Sequence, residues 1–318
     1  MLETVQIIIK IKPSFAVFIK MFSYKFISWF IFIALCFIWG SSFILMKEGM
    51  QSLSAYQVAS IRIISSGLFL LPVAIKNIRN LPGIKIATLF LSGVLGSLLP
   101  AYLFCIAEQE IDSALAGTLN SLTPIFVILI GVMFFQQKVA LQKIMGIALA
   151  FTGSMLLFFL QPNESYNGNI LYVMYVVAAT IMYGINVNLV HRYLNHLPSV
   201  TIAAIAFSLN AIPAIFILFF TGFFSLNFAD KGILISTGFS IVLGVFGTAV
   251  ASILFYVLIK RAGIIFSSMV TYGIPAVAIM WGLFYGEKVG IVQVLCLCII
   301  LAGVFVANYE RRNILIKN

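Results

Sequence analysis

The residues of this 318-residue chain with chemistry to offer are polar side chains set inside long apolar runs. Arg62 is the clearest, standing about six residues into one such run, where a guanidinium binds anions and hydrogen-bond acceptors. Two placements are open to it: facing a cavity, or carrying its charge back along a long stem to the headgroups. Lys47 closes the preceding run and suits an interfacial anchor. Asn120 and Thr123 are three apart and share a helical face, and Pro124 follows. Proline removes a backbone N–H and frees a carbonyl one turn back, so the helix bends there and needs a partner or a lined cavity. Thr271 and Tyr272 precede Pro275 in the same manner. Packing is the alternative for these polar groups, with Asn and Thr bonding across helices. Ser42 and Asn186 add hydrogen-bonding groups, as do Asn188 and Asn210, and Asn186 and Asn188 point to different faces. Trp39, Tyr102, Tyr183, Tyr256 and Trp281 can wall a path with aromatic rings or simply pack.

That inventory supports non-covalent recognition. His191 and His196 are five apart, off the i, i+4 spacing of a metal pair, and the four cysteines sit inside apolar runs. No GxxxxGK[ST] loop is present, and no run offers a carboxylate pair, a Ser–His pair or a His–Glu metal box. The expectation is a protein that is not an enzyme, with no cofactor and no metal.

The elements that must position these residues follow from composition. The chain is 62% hydrophobic and 9% charged, whereas a soluble domain carries about 25% charged residues. Its apolar runs are near 20 residues, too long for barrel strands, which predicts an all-α membrane protein. Ten spans are expected, near 27–47, 56–75, 86–107, 113–135, 141–160, 168–190, 200–221, 233–258, 264–285 and 289–308. The net charge of +10 does not signal nucleic acid, because the basic residues lie in short loops between spans. With the N-terminus inside, inner segments hold fifteen Lys and Arg, from Lys10 to Lys317, and outer loops only Lys231 and Lys288. Both termini are therefore expected in the cytoplasm of a cell membrane, plasma or bacterial inner, with the lipid bilayer as partner.

The halves of the chain resemble each other. Gly93-Val94-x-Gly96 recurs as Gly244-Val245-x-Gly247, Leu103-Phe104 as Leu254-Phe255, and Pro124 as Pro275, all at an offset of 151. Lys138 and Gly153 match Lys288 and Gly303 at 150, and Trp39-Gly40 corresponds to Tyr183-Gly184. A unit of five spans is odd, so its two copies must lie in opposite orientations, an inverted repeat. The expected organisation is a cytoplasmic leader over 1–26, a first five-helix repeat over 27–160, an outer loop over 161–167, a second repeat over 168–308 and a basic tail over 309–318.

Trp39-Gly40-Ser41-Ser42-Phe43 through Lys47, Ser54 to Arg62, Leu122-Thr123-Pro124, Gly146 to Gly153, Ile274-Pro275 and Gly286-Glu287-Lys288, in this order and spacing, resemble EamA-type members of the drug/metabolite transporter superfamily. The similarity spans about Ser28 to Asn308. It departs at Gln136-Gln137-Lys138, where the family usually shows an acidic residue, as Glu287 does in the second half. The resemblance implies a ten-helix permease for small metabolites, commonly an exporter, working by alternating access between inverted repeats. A channel or an intramembrane receptor is the competing expectation. No acid lies near a span centre and Glu108 is the deepest, so transport without obligatory proton coupling is expected, with Glu108 the one exception.

Overall fold

The computed structural model describes residues 2–111, 113–160, 170–284 and 290–309. The outer loop over 161–167, Asp112, the Gly286-Glu287-Lys288 stretch and the tail beyond Tyr309 lie outside the described residues. Among the described residues the secondary structure is entirely helical. Eight helical stretches are long and apolar enough to cross a membrane, and a shorter apolar helix, Leu141–Leu157, stands beside them. Three of the ten expected spans thus look different here. The fifth is the shorter helix, and the eighth and ninth form one 47-residue stretch, Lys231–Val277. That stretch turns at Gly263, whose φ of 83° and ψ of 167° are open to glycine and strained for other residues.

The helices are α1 (Leu2–Gly49), α2 (Ala55–Ile78), α3 (Gly83–Ala107), α4 (Leu115–Phe135), α5 (Leu141–Phe159), α6 (Ile170–Leu194) and α7 (Ser199–Phe220). Beyond them lie α8 and α9, residues 231–262 and 264–284 on either side of Gly263, and α10 (Ile291–Asn308). Local signals set several boundaries. Ser54 opens α2 with a capping box: its hydroxyl accepts from Gln57 N at 3.3 Å, while its own N–H donates to Gln57 Oε1 at 2.9 Å. Asp230 caps α8 by accepting from Gly232 N at 2.8 Å. Gln136 ends α4 in the left-handed region, at φ 53°.

Packing follows one pattern twice. α2 packs along α7, and α5 along α10. α1 lies against α8 and α9, while α6 lies against α3 and α4. Shifting each helix by five positions in this order exchanges the last two sets and maps the first two onto themselves. The glycines show why the repeat matters. A Cβ at Gly93 would collide with Asn210 and the carbonyl of Ala206 on α7, and one at Gly244 with Ser65 and the carbonyl of Arg62 on α2. Large apolar side chains such as Phe69, Phe134, Phe216 and Phe220 are exposed around the perimeter, as a lipid-facing surface requires.

Candidate functional site

α3 and α8 both loosen into π-helical turns, at Val94–Leu98 and Leu243–Val250, which places Gly96 and Gly247 in matching positions. A Cβ on Gly96 would meet the Asn186 side chain, and one on Gly247 would stand 2.8 Å from Ser42 Oγ. Ser42 and Asn186 are 144 apart, the offset that separates Trp39 from Tyr183. The ring contacts obey the same rule: Trp39 lies 5.2 Å from Phe255, and Tyr183 stacks 6.2 Å from Phe104. Trp39 Nε1 donates to the Gly247 carbonyl at 3.1 Å.

Between these pairs lies a cavity of about 100 Å³, room for a small organic group and not for a polymer. α1, α2, α3, α4, α6, α8 and α9 supply its walls. Eight of the ten path candidates line it: Trp39, Ser42, Arg62, Asn120, Thr123, Tyr183, Asn186 and Tyr256. Tyr102 and Tyr272 are elsewhere, because each spends its hydroxyl on a neighbouring helix. Tyr102 shares a 2.7 Å hydrogen bond with Ser60, and the fully buried Tyr272 donates to the Ile147 carbonyl at 3.2 Å. Pro124 and Pro275 each sit in the first turn of a helical segment, after interruptions at Ser121–Leu122 and at the 3₁₀ turn Met269–Gly273. Both prolines thus restart a broken helix beside the cavity, where Asn120 and Thr271 occupy matching places.

Arg62 is half-buried, seven residues into α2 and so about 10 Å from its start. Its Nε donates to Thr248 Oγ1 at 2.7 Å, and Nη1 lies 4.0 Å from Met46 Sδ. Glu108 caps the end of α3 just outside the span, with Ser113 Oγ donating to its Oε2 at 3.4 Å. The second oxygen, Oε1, is buried with no hydrogen-bond partner among the described residues. Burial pushes this carboxyl up to about 8, against the pull of Ser113, Arg62 and Lys47.

Asn188 turns away from Asn186 and holds helices together, donating to the carbonyls of Val127 and Gly184 and accepting from Gln137 Nε2 at 3.0 Å. Gln137, which falls opposite Glu287 at the offset of 150, is thus an interhelical strut. Asn210 likewise donates to the carbonyls of Phe90 and Ala206. Among the described residues no cluster of three metal-ligating side chains exists. Gly96, Phe104, Gly247 and Phe255 also line the cavity, and their signal was the repeat itself. Ser97, Thr248, Ser252 and Ser268 gave none, since small hydroxyls in apolar helices commonly bond their own backbone.

Comparison with known proteins gives one family. The model of the EamA-like transporter family matches residues 26–159 and again 170–309. An uncharacterized transporter of Archaeoglobus fulgidus is 24% identical over 278 residues, covering 86% of this chain and 95% of that one. The uncharacterized transporter YdfC of Bacillus subtilis is 25% identical over 131 residues, 41% of this chain and 43% of its own. A solved crystal structure superposes with a TM-score of 0.68 at 12% identity, covering 88% of this chain and 96% of the other, a likeness of fold.

Proposed function

The chain belongs to the EamA-like transporter family, and from that membership we propose a secondary transporter that exports small metabolites by alternating access between two inverted five-helix repeats. The observation that carries this reading is the cavity, whose walls come from both halves in matched pairs: Trp39 with Tyr183, Ser42 with Asn186, Phe104 with Phe255, Gly96 with Gly247. A site built on such an axis can be opened to either side by rocking one half against the other. Counting Gly263 as a boundary and the shorter Leu141–Leu157 as a span supports ten crossings.

The proposed path is the eight lining candidates, with the broken helices at Pro124 and Pro275 as flexing points. The proposed site is the cell membrane with both termini cytoplasmic. In support, the basic loops share one end of the bundle: Lys85 Nζ donates to the Tyr193 carbonyl at 3.1 Å, and Lys260 to that of Leu197. At the opposite end Gln57 reaches the Thr221 carbonyl and Ser236 that of Glu48. Transport needs no cofactor on this reading and is not obligatorily coupled to protons.

Metabolite profiling of cells with and without the protein tests the proposal. A defined set of metabolites should accumulate outside expressing cells, with a rate that saturates as their internal level rises. Unchanged profiles would overturn it, and a rate that never saturates would favour the channel.

A further inference from the structure

Arg62 is the one charged side chain among the described residues that line the cavity. A guanidinium carries five N–H donors. Thr248 takes one of them at 2.7 Å, and Met46 sulfur at 4.0 Å is a weak partner for another. Among the described residues no carboxylate stands within 4.0 Å of it. Glu108 is close enough to feel its field, yet bonds Ser113 instead.

The fold does not require this cation. At the 144 offset that pairs Trp39 with Tyr183, the counterpart of Arg62 is Ala206, and the two backbone carbonyls play the same role against Gly244 and Gly93. Keeping an unpaired charge within a membrane bundle costs free energy, and such residues mark binding paths. The other walls are neutral, combining small polar groups with the Trp39–Phe255 and Phe104–Tyr183 ring pairs. A cationic ligand would find aromatic faces here and also a repelling guanidinium.

We propose that the substrate is a small organic carboxylate with an apolar or aromatic body. Its carboxylate lies on the free N–H edge of Arg62, and its body lies between the ring pairs. Thr248 holds the guanidinium by Nε, leaving the terminal nitrogens as a fork of the geometry a carboxylate takes in two hydrogen bonds. This reading rests on the transporter function and names its substrate class.

The test uses proteoliposomes loaded with the small-metabolite extract of the expression host, with efflux resolved by mass spectrometry and sorted by charge. From wild-type vesicles, carboxylates should leave faster than from protein-free ones. Arg62→Gln should slow that efflux about tenfold, and Arg62→Lys should restore part of it, keeping the charge and losing the fork. External phenylacetate should inhibit wild-type efflux where phenethylamine, the same ring with a cationic tail, does not. That arm stands even if Arg62→Gln fails to fold. The proposal is overturned by efflux confined to cations or neutral solutes, by equal inhibition by both probes, or by an unaltered rate in folded Arg62→Gln. If no metabolite leaves the vesicles, the transporter reading itself fails and takes this one with it, a result distinct from the others.

Discussion

Arg62 donates through Nε to Thr248 Oγ1 at 2.7 Å, tying α2 of the first half to the π-helical turn of α8 in the second. The contact crosses the interface between the repeats and fixes the guanidinium plane at the cavity wall. Any motion of one half against the other must carry or break it.

Thr248→Val removes the acceptor and keeps the shape. A hydrogen bond to a charged group contributes about 1.5–3 kcal/mol, and part of it here orients Arg62. Transport assays should show a KM raised about tenfold with maximal rate within about twofold of the parent, since 1.4 kcal/mol is a factor of about ten. An unchanged KM would mean that Thr248 does not position Arg62.

Glu108 gives a pH prediction. Its carboxyl is held up to about 8 from an ordinary 4.5, chiefly by burial. Between those values the folded protein keeps a proton that the unfolded chain has released, so stability falls as pH rises across this window and levels off above it. Glu108→Gln should flatten the pH dependence of the melting temperature between about 5 and 8. A profile of the same slope would relocate the titration. The same variant in vesicles asks whether a pH gradient drives accumulation. On the uncoupled reading it does not, with or without Glu108.

Close approach at glycines ranks two substitutions. A Cβ at Gly303 on α10 would strike the Ala150 backbone nitrogen on α5, which cannot move without separating the helices. At Gly247 the nearest atom is Ser42 Oγ at 2.8 Å, a side chain free to rotate once it gives up its bond to the Ile38 carbonyl. Overpacking costs about 1–3 kcal/mol, so Gly303→Ala should lower the melting temperature more than Gly247→Ala. Gly247→Ala should instead reduce turnover. The reverse order in thermal unfolding would count against the α5–α10 contact.

Gln136 sits exposed in left-handed backbone at the end of α4, a conformation costing a non-glycine residue about 1–2 kcal/mol. Glycine relieves that cost and loses part of the gain to unfolded-state entropy. Gln136→Gly should therefore stabilise by about 0.5–1 kcal/mol, read as a higher melting temperature with flux intact.

What could be read from the chain alone was whatever glycine, proline and apolar length record. The pairs Gly93–Gly244 and Gly96–Gly247 were visible because close helix contacts tolerate no Cβ, and they mark the cavity's own turns. Asn186 and Asn188 separated as i, i+2 residues on a helix must, one lining the cavity and the other tying α6 to α4. Tyr102 and Tyr272 could not be sorted from Tyr183 and Tyr256 in this way. Their destinations depend on Ser60 and Ile147, partners on other helices that no spacing along the chain reveals. The break between the eighth and ninth spans, expected over 259–263, falls at Gly263, where the residue type permits the positive φ of the turn.

Exchanging the halves carries Arg62 onto Ala206, so among the described residues lining the cavity the likeness of the two halves is broken by one charge. On the alternating-access reading proposed above, a carrier with this asymmetry would present unlike electrostatics to the two compartments and bind its cargo with different strength from each. Detailed balance then fixes the rest: without an energy source the ratio of maximal rate to KM must be equal in both directions. The side with tighter capture is also the side with slower delivery. On that reading the protein would behave as a leaky rectifier at high cargo concentration while remaining even-handed at low concentration.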